Sequence, residues 1–415
     1  MSNRVVVTGL GCISAAGHNV KGFAETLFSH KDVSTIAPVT AFKATSRPHI
    51  AAEVKNYDPA QFFSAVQLKQ LDRFAQFALI SAQEAIEDAQ ITFSESLSHR
   101  TCVVHGTSIG GQETIENAYQ QLFSEGKKRT HPFTVPKLLP SSATSQISMK
   151  YGIKGPAFST SSACSSSGHA IAIATMMLRC NMVDVAIVGG AEACITEGNF
   201  LAWDGLRVLS ADTCRPFCAN RSGLVIGEGA GTLVLETQAH AQKRHARIYA
   251  EISGVGMSSD AHNLVQPLAE GAELAMTAAL ADSKLNAEQI QYINAHGSGT
   301  LQNDRIETQA IHQVFNKYAK QLKVSSTKSI HGHVLGAGAA IESIATIIAM
   351  TKQMLPPTKN HQKADKDCDL NYVVNHPSEQ KIKHAMSNSF AFGGLNVTLL
   401  LSQYNEPSEP SASYY

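Results

Sequence analysis

Eight short runs of aliphatic and β-branched residues recur along the chain, each closing on glycine or small residues or leading into them. They are RVVVTGLG near the start, TCVVHGTSIGG, VDVAIVGGAEA, AGTLVLE, IYAEISGVGMSS, IQYINAHGSGT, KVSST and MSNSFAFGGLNVTLLL. Runs of this length and composition read as buried β-strands. Between them the apolar positions take a helical period over residues 65–89, 168–179, 271–283, 304–315 and 338–352. Apolar strands alternating with helices predict an α/β protein whose mixed or parallel sheet is covered on both faces. Glycines at the strand ends let the backbone turn sharply, so chemistry is expected along that edge.

The pattern also echoes itself. VVVTGLG near the start has a counterpart in IYAEISGVG, and STSSACSSSGHAIAIATMML has one in VSSTKSIHGHVLGAGAAIESIATIIAM. Each of the second pair is a hydroxyl-rich turn opening onto a small-residue helix. Pattern alone leaves open whether this is a duplication or the common repetition of α/β units. The division it suggests is a half over residues 1–250, a half over 251–406 and a Pro/Ser-rich flexible tail over 407–415.

Composition narrows the function classes. Of 415 residues, 43% are hydrophobic, enough for a large core, and the formal net charge is zero. A neutral chain gives no reason to expect nucleic acid or an anionic membrane as the main partner. The first residues enter a strand-like run without the features of a signal peptide, and no uninterrupted apolar run is long enough to span a bilayer. Eight irregularly spaced cysteines make no disulfide framework, so a reducing, cytoplasmic setting is expected.

One of those cysteines stands apart. Cys164 lies among Ser/Thr hydroxyls immediately before the helical run GHAIAIATMML. A helix start favours a thiolate, and a thiolate is the nucleophile that accepts an acyl group. Cys12, Cys102, Cys180, Cys194, Cys214, Cys218 and Cys368 read instead as small core residues. Two histidines are placed as Cys164 is: His296 in NAHGSGT after an apolar run, and His333 in STKSIHGHVLGAG before a small-residue helix. His169 and His331 are near neighbours that the sequence does not separate from them. Lys328 and Glu342 flank His333 and suit a buried ion pair.

The segments SSACSSSGHAI, NAHGSGT with ND and ET following, SSTKSIHGHVLGA and SNSFAFGGLN resemble the signature segments of the 3-oxoacyl-[acyl-carrier-protein] synthase II type, the elongating thiolase-fold condensing enzymes. The resemblance runs from VVVTGLG through FGGLN. It implies a duplicated five-layer α-β-α-β-α sandwich. It makes Cys164 the acyl acceptor, and His296 and His333 the donors that bind a malonyl thioester and assist its decarboxylation. The backbone N–H groups of Cys164 and Phe392 become the oxyanion donors, and Phe392 the gating aromatic. Lys328 becomes an electrostatic support paired with Glu342 or Glu307. Ser298 and Thr300 would bind the phosphopantetheine arm, and Ile109 would line the acyl tunnel. No cofactor of its own is implied, only the phosphopantetheine of an acyl carrier protein.

That carrier is acidic in the family, so a local basic surface is expected. Lys127, Lys128 and Arg129 in GKKRTHPF, with Lys69, Arg73 and Arg207, are the candidates. A homodimer is implied, with LLPSSATSQISMKYG reaching the neighbour's pocket; a heterodimer with a chain-length-factor-like subunit is the alternative. Such partner subunits lack the cysteine this chain keeps. A degradative thiolase needs a second catalytic cysteine near the C-terminus, where this chain has NSFAFGGLN. Housekeeping members carry Gly and Thr where this chain has Ala391 and Leu395. The added bulk beside Phe392 points to a narrower mouth and to unsaturated or polyene acyl chains, beside ordinary medium-to-long fatty acyl elongation. These departures resemble nodulation-type and aryl-polyene-type synthases.

Overall fold

A computed structural model describes residues 3–31, 35–43 and 49–405. The tail expected over 407–415 lies outside these. Eleven strands join in one sheet: β1 (Val5–Ser14), β2 (Thr101–Gly106), β3 (Ala157–Thr160), β4 (Val185–Glu192), β5 (Gly229–Thr237), β6 (Ala250–Ser259), β7 (Tyr292–Asn294), β8 (Lys323–Ser325), β9 (Asn371–Tyr372), β10 (His384–Ala391) and β11 (Leu395–Ser402). Their spatial order is β9-β8-β7-β10-β11-β6-β1-β5-β4-β2-β3.

Leaving β9 aside, this order is the same motif twice. In β1–β5 the first strand is followed across the sheet by the fifth, fourth, second and third; β6, β7, β8, β10 and β11 repeat that order. Directions match as well. In each half the two pairings nearest the junction are antiparallel, and the three strands farther out are parallel. The halves meet where β1 pairs briefly with β6. The echo read in the sequence is therefore a repeat of topology.

Among the described residues, the seven helices of ten or more residues complete the layers: α1 (Arg73–Asp88), α2 (Ser142–Tyr151), α3 (Ser166–Arg179), α4 (Glu197–Leu206), α5 (Ala269–Ser283), α6 (Leu301–Phe315) and α7 (Gly338–Lys352). Helix α1 covers one outer face, α5 and α6 the other, and α3 packs on α7 between the two half-sheets. This is the five-layer sandwich of the thiolase-like fold. The central layer explains why α3 and α7 are rich in Ala, Ile and Gly: helices with sheets on both sides have no polar face to spare. The segment Leu335–Lys352 is long and apolar enough to cross a membrane by composition, yet nearly all of it is buried inside the protein.

One predicted helix divides in two. Residues 65–89 form a short turn, Ala65–Leu68, and then α1. Ser64 caps the first with a reciprocal Gln67 contact, and the Asp72 carboxylate accepts from Phe74 N to start the second. Two capping residues in one apolar run make two helix starts. Strand β3 and helices α2 and α4 escaped the sequence reading. Cys180 does not belong to the core; it sits exposed just past α3.

Candidate active site

Cys164 stands on a tight turn between β3 and α3. Ala163, just before it, has φ +49, a left-handed conformation that a Cβ makes costly. Hydroxyls hold the strain. Ser166 Oγ accepts from Ser162 N at 2.9 Å and donates to Ala163 O at 2.6 Å. Ser165 Oγ donates to Ser162 O at 2.8 Å, and Thr160 Oγ1 to Ser166 O at 2.9 Å. Much of the serine-rich run is thus the scaffold of the turn that aims one thiol.

That thiol is not a resting thiolate. Burial pushes it up to about 11, against the Lys328 charge and the Phe392 backbone N–H, which favour the anion; Glu192 disfavours it. Cys164 does lie near a helix start, two residues before α3 begins at Ser166, but desolvation outweighs the favour that start gives the anion. His333 Nε2 lies 3.1 Å from the sulfur, placed to take its proton when it reacts.

His296 follows β7. Its backbone N–H and that of Gly297 donate to the Glu307 carboxylate on α6, each at 2.8 Å. His333 follows Gly332, whose φ of +68 suits glycine, and donates its N–H to Val225 O at 2.6 Å. The two rings meet edge to face with centroids 5.4 Å apart. Burial pushes both imidazoles well below their ordinary value, and the Lys328 ammonium pushes them further. Both are therefore neutral near pH 7, each with one N–H to donate and one ring nitrogen to accept. His331 is separated from them: it is fully buried against Thr327 Oγ1 at 2.9 Å and Gly332 O at 2.8 Å. His169 is tied to Ser162 Oγ at 2.9 Å.

Lys328 is buried and ion-paired to Glu342, which settles the choice of partner. Glu307 instead serves the His296 backbone. Burial pushes both carboxyls up to about 7.

Cys164, His296 and His333 share a cavity of about 380 Å³, whose walls also carry Ser298, Thr300 and Phe392. Ser298 Oγ is 3.0 Å from Thr300 Oγ1, which also caps α6. Phe392 stacks on Trp203 of α4 with centroids 5.7 Å apart. Trp203 was missed in the sequence, where a lone tryptophan in WDGLR carries no motif. The positive φ values of the gate turn fall on Gly393 (+81) and Gly394 (+68). Ala391 ends β10 opposite Leu395, so its methyl adds bulk without backbone strain.

Other expected residues are placed differently. Ile109 is 38% exposed and lies outside the lining of this cavity. Arg207 lines it. Lys69, Lys127, Lys128 and Arg129 are exposed, Lys127 pairing with Glu125 at 3.3 Å. Arg73 leaves the docking set: its guanidinium grips Glu228 at 2.7 and 2.8 Å and lies over the Tyr57 and Phe77 rings. Asp304 was quoted in a motif but given no role. It accepts from Phe217 N at 2.7 Å and Gly299 N at 3.1 Å, fixing the turn below Ser298.

The chain is similar to known proteins over nearly all of its length. The sequence matches the family descriptions "Beta-ketoacyl synthase, N-terminal domain" over residues 2–241 and "Beta-ketoacyl synthase, C-terminal domain" over residues 249–362. Nodulation protein E of Rhizobium sp. (strain N33) is 42% identical over 97% of this chain and 100% of that protein. The 3-oxoacyl-[acyl-carrier-protein] synthase 2 of Coxiella burnetii is 40% identical over 96% and 98%. Among solved structures, the ishigamide ketosynthase/chain length factor superposes with a TM-score of 0.92 at 31% identity, covering 98% of this chain and 100% of that one. A type II polyketide ketosynthase, solved in complex with its acyl-carrier protein and bound to the hexaketide, superposes at 0.87 and 30% identity, covering 98% and 100%. A chain matched by both family domains, and this similar to such relatives over nearly its whole length, belongs to the β-ketoacyl synthases, condensing acyltransferases of thiolase-like fold.

Proposed function

We propose that this chain joins a malonyl unit to an acyl chain, both delivered on acyl carrier protein, by decarboxylative Claisen condensation. The observation that carries the reading is the contact of the Cys164 thiol with a neutral imidazole, His333, beside His296 in one cavity. In the first step Cys164 sulfur attacks the acyl thioester. Its proton passes through His333 Nε2 to the departing phosphopantetheine thiol. Malonyl-carrier protein then enters, its arm held by Ser298 and Thr300. The thioester oxygen takes hydrogen bonds from His296 and from His333, now in the neutral tautomer that carries its proton on Nε2, as CO2 leaves and the enolate forms. The enolate carbon attacks the Cys164 thioester. The backbone N–H groups of Cys164 and Phe392 bind the oxyanion, and the 3-oxoacyl chain leaves on the carrier as the Cys164 thiolate takes a proton from solvent. Burial, reinforced by the Lys328 charge that Glu342 holds in place, keeps the imidazoles neutral. Intact-mass analysis after incubation with acyl-carrier proteins of several lengths tests this. One acyl adduct on Cys164 is expected, and an adduct elsewhere, or none, refutes the reading.

Two finer readings belong with it. The first is that the mouth at Ala391, Phe392, Leu395 and Trp203 favours flat, conjugated chains, which lose less rotamer freedom on entry than saturated ones. In competition between polyenoyl and saturated substrates of equal length, the polyenoyl chain is expected to win, and Ala391→Gly with Leu395→Thr to erase the preference. Equal use of the saturated chain sinks this reading and leaves ordinary fatty acyl elongation.

The second is a dimer, either of this chain or with a chain-length-factor-like subunit, formed in a cytoplasmic setting without nucleic acid or membrane. Strand β3 is an edge strand, and Phe158 on it is exposed, as are Leu139 and Met149 in and beside α2. An exposed apolar edge of this kind calls for a partner. Lys69, Lys128, Arg129 and Arg207 are its docking charges for the carrier, and the halves divide at residues 250–251. Sedimentation should show a dimer that Phe158→Asp splits. A stable, fully active monomer of the parent chain counts against it.

A further inference from the structure

Glu192, at the end of β4, has no part in the chemistry above, yet it is the most heavily engaged carboxylate near the thiol. It is fully buried, and among the described residues no lysine or arginine pairs with it. Five donors converge on it instead. Oε2 accepts from Ser108 N at 2.7 Å and Gly336 N at 2.9 Å. Oε1 accepts from Thr107 Oγ1 at 2.9 Å, Ile109 N at 3.3 Å and Cys194 Sγ at 3.3 Å. Three of these residues form the loop after β2, in the first half. Gly336 lies in the turn just past His333, in the second. The contact between them is close: a Cβ at Gly336 would fall 2.4 Å from Ser108 N and 2.7 Å from Glu192 Oε2. Leu335, next to it, holds a left-handed φ of +44. A buried, unpaired carboxylate is costly, and a strained turn needs restraint. Both costs are offset if the carboxylate clasps the two halves where their reactive groups must touch.

We propose that Glu192 is a positioning residue for the condensation: its ionised carboxylate pins the His333 turn to the loop at 107–109 and so holds His333 Nε2 against Cys164. The proposal rests on the condensing reading above. A neutral amide cannot replace it, because a Gln side chain offers one acceptor oxygen and turns an NH2 donor toward other donors. Glu192→Gln removes a negative charge near the sulfur while loosening the His333 turn. Two readouts should therefore move in opposite directions. Malonyl decarboxylation and condensation should fall by up to about a hundredfold in kcat, the scale of a small misplacement, with little change in KM. Iodoacetamide labelling of Cys164 at one fixed, near-neutral pH should become faster. Gly336→Ala, which spreads the clasp and keeps the charge, should lower kcat without speeding labelling.

A merely structural role predicts that both readouts fall together with the folded fraction, and that result overturns the proposal. So does unchanged kcat in Glu192→Gln. If Glu192→Gln does not fold, Gly336→Ala and the milder Thr107→Val, which removes one donor, decide by the same kcat and labelling measurements. Unchanged kcat in both then overturns the proposal. The parent enzyme, assayed alongside, separates the two ideas: a parent that does not condense fails the proposed function, whereas a parent that condenses and variants that match it fail only the role of Glu192.

Discussion

Cys164→Ala is expected to show no acyl adduct by intact mass and condensation at background. The sulfur is the atom that takes the acyl group, and nothing else in the cavity replaces it. The neighbouring hydroxyls are spent on the turn: Ser165 and Ser166 both bond within it. Cys164→Gln should differ in an informative way. Its neutral amide resembles the acylated thiol, so malonyl decarboxylation should persist or rise while condensation stays absent. The parent thiol carries a pH signature as well. With its pKa pushed to about 11, mainly by burial, the thiolate fraction rises about tenfold per pH unit across the neutral range. Alkylation of Cys164 should rise steeply with pH and show no plateau before the alkaline range. A plateau near neutrality would mean a resting thiolate and a different activation.

His296→Ala and His333→Ala should each lower malonyl decarboxylation by about 10²–10³-fold, the range for loss of one donor to a developing oxyanion. Acyl transfer to Cys164 should survive in His296→Ala and weaken in His333→Ala, because only His333 touches the sulfur, at 3.1 Å. Both imidazoles are held well below 6.5 by burial and by Lys328. They therefore stay neutral as pH falls from 8 toward 6 and contribute no acid limb there; any change near 7 belongs to the Glu307 and Glu342 carboxyls, which burial pushes up to about 7. Titration of either imidazole in that window, followed by NMR of the ring protons, would show that the neutral-donor assignment is wrong. Decarboxylation at the parent rate in both variants would remove their roles altogether.

Most of the strands, the five longest helical periods and the placing of Cys164, His296 and His333 at polar edges were legible because each rests on local pattern. Period-two and period-3.6 burial, glycine after a strand and hydroxyls before a helix are written in neighbouring residues. The split near residue 70 was also local, in Ser64 and Asp72, but its two capping signals lay inside one continuous apolar period. Other features depend on residues far apart in the chain, which no window can join. Lys328 meets Glu342 rather than Glu307 because α7, not α6, packs beside it in the folded protein. Arg73 is drawn from the surface by Glu228, 155 positions away. Trp203 becomes part of the gate only when α4 lies against the turn after β10. The state of the Cys164 thiol belongs to the same class. Helix position is a sequence property, whereas desolvation is set by everything packed around the sulfur, and here desolvation is the larger effect.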